Sequence, residues 1–328
     1  MKPETLPPFT PHPLVRNPHV QTLLASAQQI LPFDINAHSR EVVLNLPADG
    51  GTRLQGFYSP QTAAPSKGLI VMFHGWLGSA NSSYNRAVGG DLFQRGYSVF
   101  RLNMRDHGGT EAWNEAPFHG ARLEEVVQAV AEAGKLEPET PLVLIGYSMG
   151  GNFALRVAHR MAETPIPTMK HVIAVSPSVN PKATVKAIDE SFPIYSFYFG
   201  RKWKRMIRAK QIAFPELYAD FDEALRMKNS YDMGEWFITR YTGFSDSDSY
   251  YRSYAVTPEM MAAVTVPTTI ITSADDPIIP IADFEPFRAL NNPNFTLSVQ
   301  PFGGHVGFMD ILPIRRWLVD VIESIVEG

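Results

Sequence analysis

Pro141-Leu142-Val143-Leu144-Ile145 runs into Gly146-Tyr147-Ser148-Met149-Gly150-Gly151, and Asn152-Phe153-Ala154-Leu155-Arg156-Val157-Ala158 follows at once. The first five residues are an unbroken apolar run of the kind carried by a strand buried on both faces. The last seven have apolar side chains at helical spacing, so the chain reads strand, tight turn, helix. A serine between two glycines in that context is a nucleophile elbow, whereas a bare Gly-x-Ser-x-Gly match arises by chance in roughly one chain in ten of this length. In an elbow the serine sits in strained backbone with its hydroxyl held outward. The glycines are needed because a side chain there would strike the neighbouring strand or helix. Because the turn opens a helix, the Met149 backbone N–H points to where negative charge develops on a substrate oxygen.

Outward from the elbow, strand-like and helical runs alternate. Glu41–Leu46 and Leu54–Tyr58, separated by Ala48-Asp49-Gly50-Gly51, predict an antiparallel hairpin. Leu69–Phe73, Tyr97–Leu102, Leu142–Ile145, His171–Val175, Thr268–Thr272 and Phe295–Val299 predict buried strands. Helical patterns over Tyr84–Arg95, Ala121–Glu132, Asn152–Glu163 and Ile311–Ile325 lie between most of them. That order predicts an α/β fold with a mostly parallel, eight-stranded-type sheet and helices on both faces. The stretch between Val175 and Thr268 breaks the rhythm, being rich in aromatics and too long for a plain loop. The expected division is therefore an N-terminal arm over residues 1–40 packing on the core, a core over 41–179 and 264–328, and a helical cap over 180–263.

Composition narrows the function classes. The 328 residues are 45% hydrophobic and 19% charged, an ordinary globular balance able to bury a sizeable core. A net charge of −4 gives no electrostatic reason to expect nucleic acid as a partner. The absence of cysteine excludes disulfides, thiolate catalysis and cysteine zinc sites. The stretch Met1 to Pro8 lacks the apolar core and cleavage site of a signal peptide, and no apolar span is long enough to cross a bilayer. A cytoplasmic enzyme is the expectation, with peripheral membrane contact through the cap left open.

Acyl transfer through a serine needs a base, an acid that orients the base, and donors for the oxyanion. In a hydrolase sheet these follow the order Ser, Asp, His, each at the carboxyl end of a strand. After Thr268–Thr272 come Ser273-Ala274-Asp275-Asp276-Pro277, and after Phe295–Val299 come Pro301-Phe302-Gly303-Gly304-His305. His305, behind two glycines, can reach over the sheet to Ser148. Asp276, whose turn the following proline fixes, is the expected acid; Asp275 remains the alternative, otherwise a turn-capping carboxylate. The second oxyanion donor is expected at the Trp76 backbone N–H, in Phe73-His74-Gly75-Trp76-Leu77-Gly78, with His74 a structural hydrogen-bonding residue and the Trp76 ring a candidate pocket wall.

Nearly the whole chain resembles the α/β-hydrolase superfamily. It is similar in particular to a branch that includes bacterial esterase-like proteins, medium-chain ethyl ester synthase/esterases of yeast and phospholipid-acting animal members. The resemblance is carried, besides the elbow, by Arg16-Asn17-Pro18-His19-Val20-Gln21-Thr22, Gly108-Gly109-Thr110, Gly151-Asn152-Phe153, Phe221-Asp222-Glu223, Tyr250-Tyr251, Asp275-Asp276-Pro277 and Gly303-Gly304-His305-Val306-Gly307-Phe308. It implies Ser148, Asp276 and His305 as triad and the Trp76 and Met149 amides as oxyanion donors. Two departures stand out. Arg105-Asp106 replaces the usual Arg-Gly after the fourth strand, and Leu225–Trp236 is longer than its counterparts.

The expected activity is a serine carboxylic-ester hydrolase acting on a small-molecule acyl ester, with no metal or organic cofactor. Acyl transfer to an alcohol, for which His305 and Asp310 give a His-x4-Asp pattern, and a phospholipase-type activity are the alternatives, ahead of a non-catalytic binding module. For the cap, Phe192–Phe199 followed by Arg201, Lys202, Lys204, Arg205, Arg208 and Lys210 admits two readings. One is an amphipathic helix with its aromatics on the core and a solvated basic face. The other is an apolar cover with a basic rim facing acyl chains or anionic head groups.

Overall fold

The protein is described by a computed structural model covering residues 6–27 and 33–327. The expectations for residues 1–5 and for the 28–32 part of the arm lie outside the described residues. Chain order runs α1 (Pro18–Ser26), β1 (Arg40–Leu46), β2 (Thr52–Ser59), β3 (Leu69–Phe73), α2 (Ser83–Gln94), β4 (Ser98–Asn103), α3 (Leu123–Gly134), β5 (Leu142–Tyr147), α4 (Met149–Arg160) and β6 (Met169–Val175). Six helices then intervene: α5 (Pro181–Glu190), α6 (Pro193–Ala213), α7 (Phe221–Arg226), α8 (Ser230–Tyr241), α9 (Ser247–Tyr254) and α10 (Pro258–Ala262). The chain returns through β7 (Thr268–Ser273) and β8 (Phe295–Gln300) and ends in α11 (Trp317–Glu327).

The eight strands lie in the order β1-β2-β4-β3-β5-β6-β7-β8. β1 pairs antiparallel with β2, and β2 antiparallel with β4; every later pairing is parallel. The first hairpin and all six later strands fall where the apolar runs predict them. β5 shows why the sheet holds: Leu142 and Leu144 join the core on one face, with α3 and α4, while Val143 and Ile145 join the core on the other, with α2 and α11. A side chain of this size fully removed from water contributes about 1.5–3 kcal/mol, and such strands are buried on both sides.

One expectation needs correcting. The last helix starts at Trp317, not Ile311, because Met309–Asp310 pairs antiparallel with Arg315–Arg316. Leu312, with φ 64°, turns the chain between them, and Pro313 cannot supply a helical N–H.

Strand order reverses between β3 and β5, and in open α/β sheets the crevice outside the carboxyl ends at such a reversal is where ligands bind. The loops leaving those two strands carry Trp76 and Ser148.

Candidate active site

The elbow geometry follows from the glycines. Ser148 sits at φ 54°, ψ −117°, a conformation non-glycine residues rarely hold. Its N–H donates to the Val175 carbonyl at 2.9 Å and its carbonyl accepts from Asn152 at 3.0 Å, so both ends of the strained residue are tied down. A Cβ on Gly146 would lie 2.2 Å from the Gly150 carbonyl oxygen, and one on Gly150 would lie 2.5 Å from the His74 carbonyl oxygen. Both positions exclude any side chain, which lets the elbow press against the loop after β3.

That loop is held by groups with no freedom to do anything else. The Tyr84 hydroxyl accepts from the Gly75 N–H at 2.8 Å. His74 Nε2 accepts from the Met104 N–H at 3.1 Å, and its Nδ1 donates to the Gly75 carbonyl at 2.8 Å. His107 repeats the pattern, with Nε2 accepting from the Leu77 N–H at 3.1 Å and Nδ1 donating to the Arg105 carbonyl at 2.7 Å. A ring nitrogen that accepts carries no proton, so both imidazoles are neutral. Burial lowers His74 well below the usual histidine range, and the neighbouring His107 adds to this. Burial likewise lowers His107 to about 4. His74 is therefore a structural residue with both nitrogens occupied. The backbone N–H groups of Trp76 and Met149, by contrast, have no acceptor among the described residues.

His305 and Asp276 meet at the carboxyl ends of β8 and β7. Asp276 Oδ2 lies 2.9 Å from His305 Nδ1, while Oδ1 accepts from the Ile278 and Ile279 N–H groups at 2.8 and 2.9 Å. The contact turns Nδ1 to the carboxylate, and Nε2 has no hydrogen-bond partner among the described residues, Ser148 included. Asp275 does something different: its Oδ1 accepts from the Gly304 N–H at 2.9 Å, pinning the loop that carries His305, and burial raises its carboxyl.

The N-terminal arm has a role that packing on the outside of the core does not describe. Thr22 Oγ1 accepts from the His305 N–H at 2.9 Å, and fully buried Gln21 accepts from the Met309 N–H at 3.0 Å and donates to the Met309 carbonyl at 2.8 Å. A Cβ on Gly304 would lie 2.4 Å from the Pro18 carbonyl oxygen. So α1 is the floor on which the His305 loop rests. Asp310 belongs to the same brace, its Oδ1 accepting from the His12 and Ile311 N–H groups at 2.7 and 2.8 Å.

Ser148 opens onto two cavities that share Trp76, Phe199 and Met206 as walls. One, bordered by side chains of α5, α6, α8 and α9 such as Ile188, Trp203, Phe237 and Tyr251, is predominantly apolar. The other is bordered by the Gly75–Ser83 loop, His107, Lys202, Arg205 and His305. The Trp76 ring stacks on Phe199 at 5.7 Å and meets Trp203 edge-on at 5.2 Å, so α6 rests on Trp76.

A family model for the alpha/beta hydrolase fold matches residues 68–310. The chain belongs to the α/β hydrolase fold family. Among its relatives are an abhydrolase domain-containing protein of Dictyostelium discoideum, 24% identical over 86% of this chain and 72% of the relative, and a putative esterase, YheT, of Escherichia coli, 25% identical over 78% and 75%. Phospholipase ABHD3 of Homo sapiens is 22% identical over 75% of this chain, which spans 60% of that relative. Of solved structures, Pyrococcus furiosus esterase Pf2001 matches with a TM-score of 0.58 at 17% identity over 93% of this chain and 98% of that one, a likeness of fold.

Within this fold the Arg105-Asp106 departure has a physical reason. Asp106 occupies φ 59°, the left-handed region that glycine favours and aspartate tolerates. Its side chain then does what glycine cannot: Oδ2 accepts from the Phe118 N–H at 2.8 Å, and Oδ1 lies 2.9 Å from Lys210 Nζ of α6. Lys210 Nζ also donates to the carbonyls of Glu111 and Asn114. Burial pushes the Asp106 carboxyl up to about 6 against the pull of that ammonium, and lowers Lys210. Sequence periodicity carries no trace of this pair, because its members are 104 residues apart. The Thr22, Tyr84 and His107 braces were equally hidden; the only signal was that Thr22 ends the arm segment carrying the family resemblance.

Proposed function

We propose that the chain is a serine carboxylic-ester hydrolase. Ser148 Oγ attacks the ester carbonyl, His305 Nε2 takes its proton, and Asp276 holds the imidazole in the acceptor tautomer and stabilises the imidazolium. The Trp76 and Met149 amides receive the oxyanion. The leaving alcohol takes the proton back from His305, which then draws one from water to release the acid and restore Ser148. No step asks for a metal or cofactor. The observation that carries the reading is the Asp276 contact to His305 Nδ1 beside a cavity that Ser148 shares with His305. The names of the relatives, esterase, phospholipase and, for a Saccharomyces cerevisiae protein, monoacylglycerol lipase, support ester substrates.

An apolar cavity on one side of Ser148 suits an acyl chain, and one of mixed polarity bordered by Lys202 and Arg205 suits the leaving group. That pairing favours amphiphilic acyl esters, phospholipids among them. Acyl transfer to an alcohol has no comparable support, since Asp310 is engaged with the arm. A fluorophosphonate probe tests the proposal: labelling of the wild type that disappears in Ser148→Ala is expected, and a folded wild type that takes no label rules out the serine mechanism and returns the chain to a binding module.

A further inference from the structure

Helix α6 turns a continuous stripe away from the protein. Ile194, Phe197, Arg201, Arg205, Arg208 and Ile212 follow one another at steps of three and four and are all exposed. Phe197 is 68% and Ile212 75% exposed, with Phe192 just before the helix at 58%. Half of the cap reading is thus corrected: Tyr195, Trp203 and Ile207 pack inward, but the aromatic end of the stripe does not. No acidic residue occurs between Glu190 and Glu216. Of the six basic residues in α6, Lys202, Lys204 and Lys210 bond inward to Leu77, Met227 and Asp106. Arg201, Arg205 and Arg208 have no hydrogen-bond or carboxylate partner among the described residues.

We infer that this face of α6 docks on an anionic lipid surface. Three unpaired arginines in a row, on a protein of net charge −4, set up a local field of opposite sign to the whole, which selects a negatively charged partner over general adhesion. Aromatic and aliphatic side chains at both ends of the stripe supply the apolar half of an interfacial helix, buried among acyl chains while the guanidinium groups meet the head groups. A nucleic acid would meet the charge but gives Ile194 and Ile212 nothing to bury in. Among the described residues no helix is long and apolar enough to cross a membrane. Arg205 of the stripe and the next residues inward on α6, Tyr198, Lys202 and Met206, border the mixed-polarity cavity beside Ser148, so a docked helix brings the mouth of the site to the lipid. The orientation of that mouth rests on the ester-hydrolase reading; the docking itself does not.

The test uses the full-length Ser148→Ala protein, which binds without turning lipid over, and sedimentation with phosphatidylcholine vesicles with and without phosphatidylserine. Binding to the phosphatidylserine vesicles that weakens as salt rises is expected. Arg201→Gln with Arg208→Gln should lower that partition on the order of 25-fold at low ionic strength, about five-fold per arginine. Phe197→Ser should lower it for both vesicle types. All three positions are exposed, and unchanged circular dichroism and melting confirm that the variants fold. Equal partition onto both vesicle types, no partition at all, or binding to single-stranded DNA but not vesicles overturns the proposal. Any of these leaves the fluorophosphonate result for Ser148 untouched.

Discussion

Lys210→Met tests whether the cap is latched to the core through Asp106. The substitution keeps most of the side-chain volume and removes Nζ, whose three N–H groups serve Asp106 Oδ1 at 2.9 Å, the Glu111 carbonyl at 3.2 Å and the Asn114 carbonyl. Asp106 and Lys210 are each only 2% exposed, so the carboxylate left behind has the Phe118 N–H as its remaining donor and no water to turn to. Removing one partner of a buried pair costs about 3–5 kcal/mol, whereas replacing both by neutral groups of similar size is near neutral. Urea denaturation at pH 7, followed by tryptophan fluorescence, should show that loss for Lys210→Met. Asp106→Asn combined with Lys210→Met should recover most of it, since asparagine accepts the left-handed backbone and keeps an acceptor for Phe118. The pH dependence has a defined sign. The folded Asp106 carboxyl already titrates near 6, above its unfolded value of 3.8, so lowering the pH through that window protonates the folded state first and favours it. Without the ammonium the carboxyl rises further, and the deficit of Lys210→Met must shrink from pH 8 to pH 5. A deficit independent of pH, or a double variant as unstable as the single one, would refute the latch.

Asp276→Asn leaves the backbone contacts to Ile278 and Ile279 possible but lets His305 adopt the wrong tautomer; kcat on a p-nitrophenyl ester should fall about 10⁴-fold with KM little changed, and a fall below ten-fold contradicts the role of Asp276. Thr22→Val strands the His305 N–H, costing about 1–3 kcal/mol in urea denaturation and lowering kcat more than it raises KM, whereas Thr22→Ser restores both. If Thr22→Val retains wild-type kcat, the arm does not position His305. Buried His107, His119 and His171, lowered to about 4, 3 and 4, stay neutral in the fold but take up protons once unfolded below pH 6.5, as does His74. Each histidine should therefore cost roughly 1 kcal/mol per pH unit on acidification from pH 6.5 toward 4, with Asp106 and the likewise raised Glu125, Asp275 and Asp283 offsetting part of the fall. A urea midpoint that rises over that range contradicts the neutral tautomers.

Residue order alone determined the sheet. Runs such as Leu69–Phe73 and Leu142–Ile145 are local, apolar and bounded by turn residues, and a strand buried on both faces needs little else to be recognised. The elbow was legible for the same reason, since Gly146, Ser148 and Gly150 are neighbours in sequence and their constraint is steric. Asp276 and His305 were picked out by their place after strands, because the carboxyl ends of a parallel sheet face one crevice whatever separates them in the chain. Only the tertiary structure decided between Asp276 and Asp275 as partner of His305, since both carboxylates sit at one strand end and two backbone N–H groups orient one of them toward the imidazole. The braces beneath the site, Thr22 under His305 and His107 under Leu77, could not be read from order, because hydrogen bonds across 283 and 30 residues leave no periodic signature. The same holds for the outward stripe of α6 and its pairing through Lys210. An amphipathic pattern tells that a helix has two faces, but which face the core takes depends on where Trp76 and Asp106 stand, and that is settled by packing.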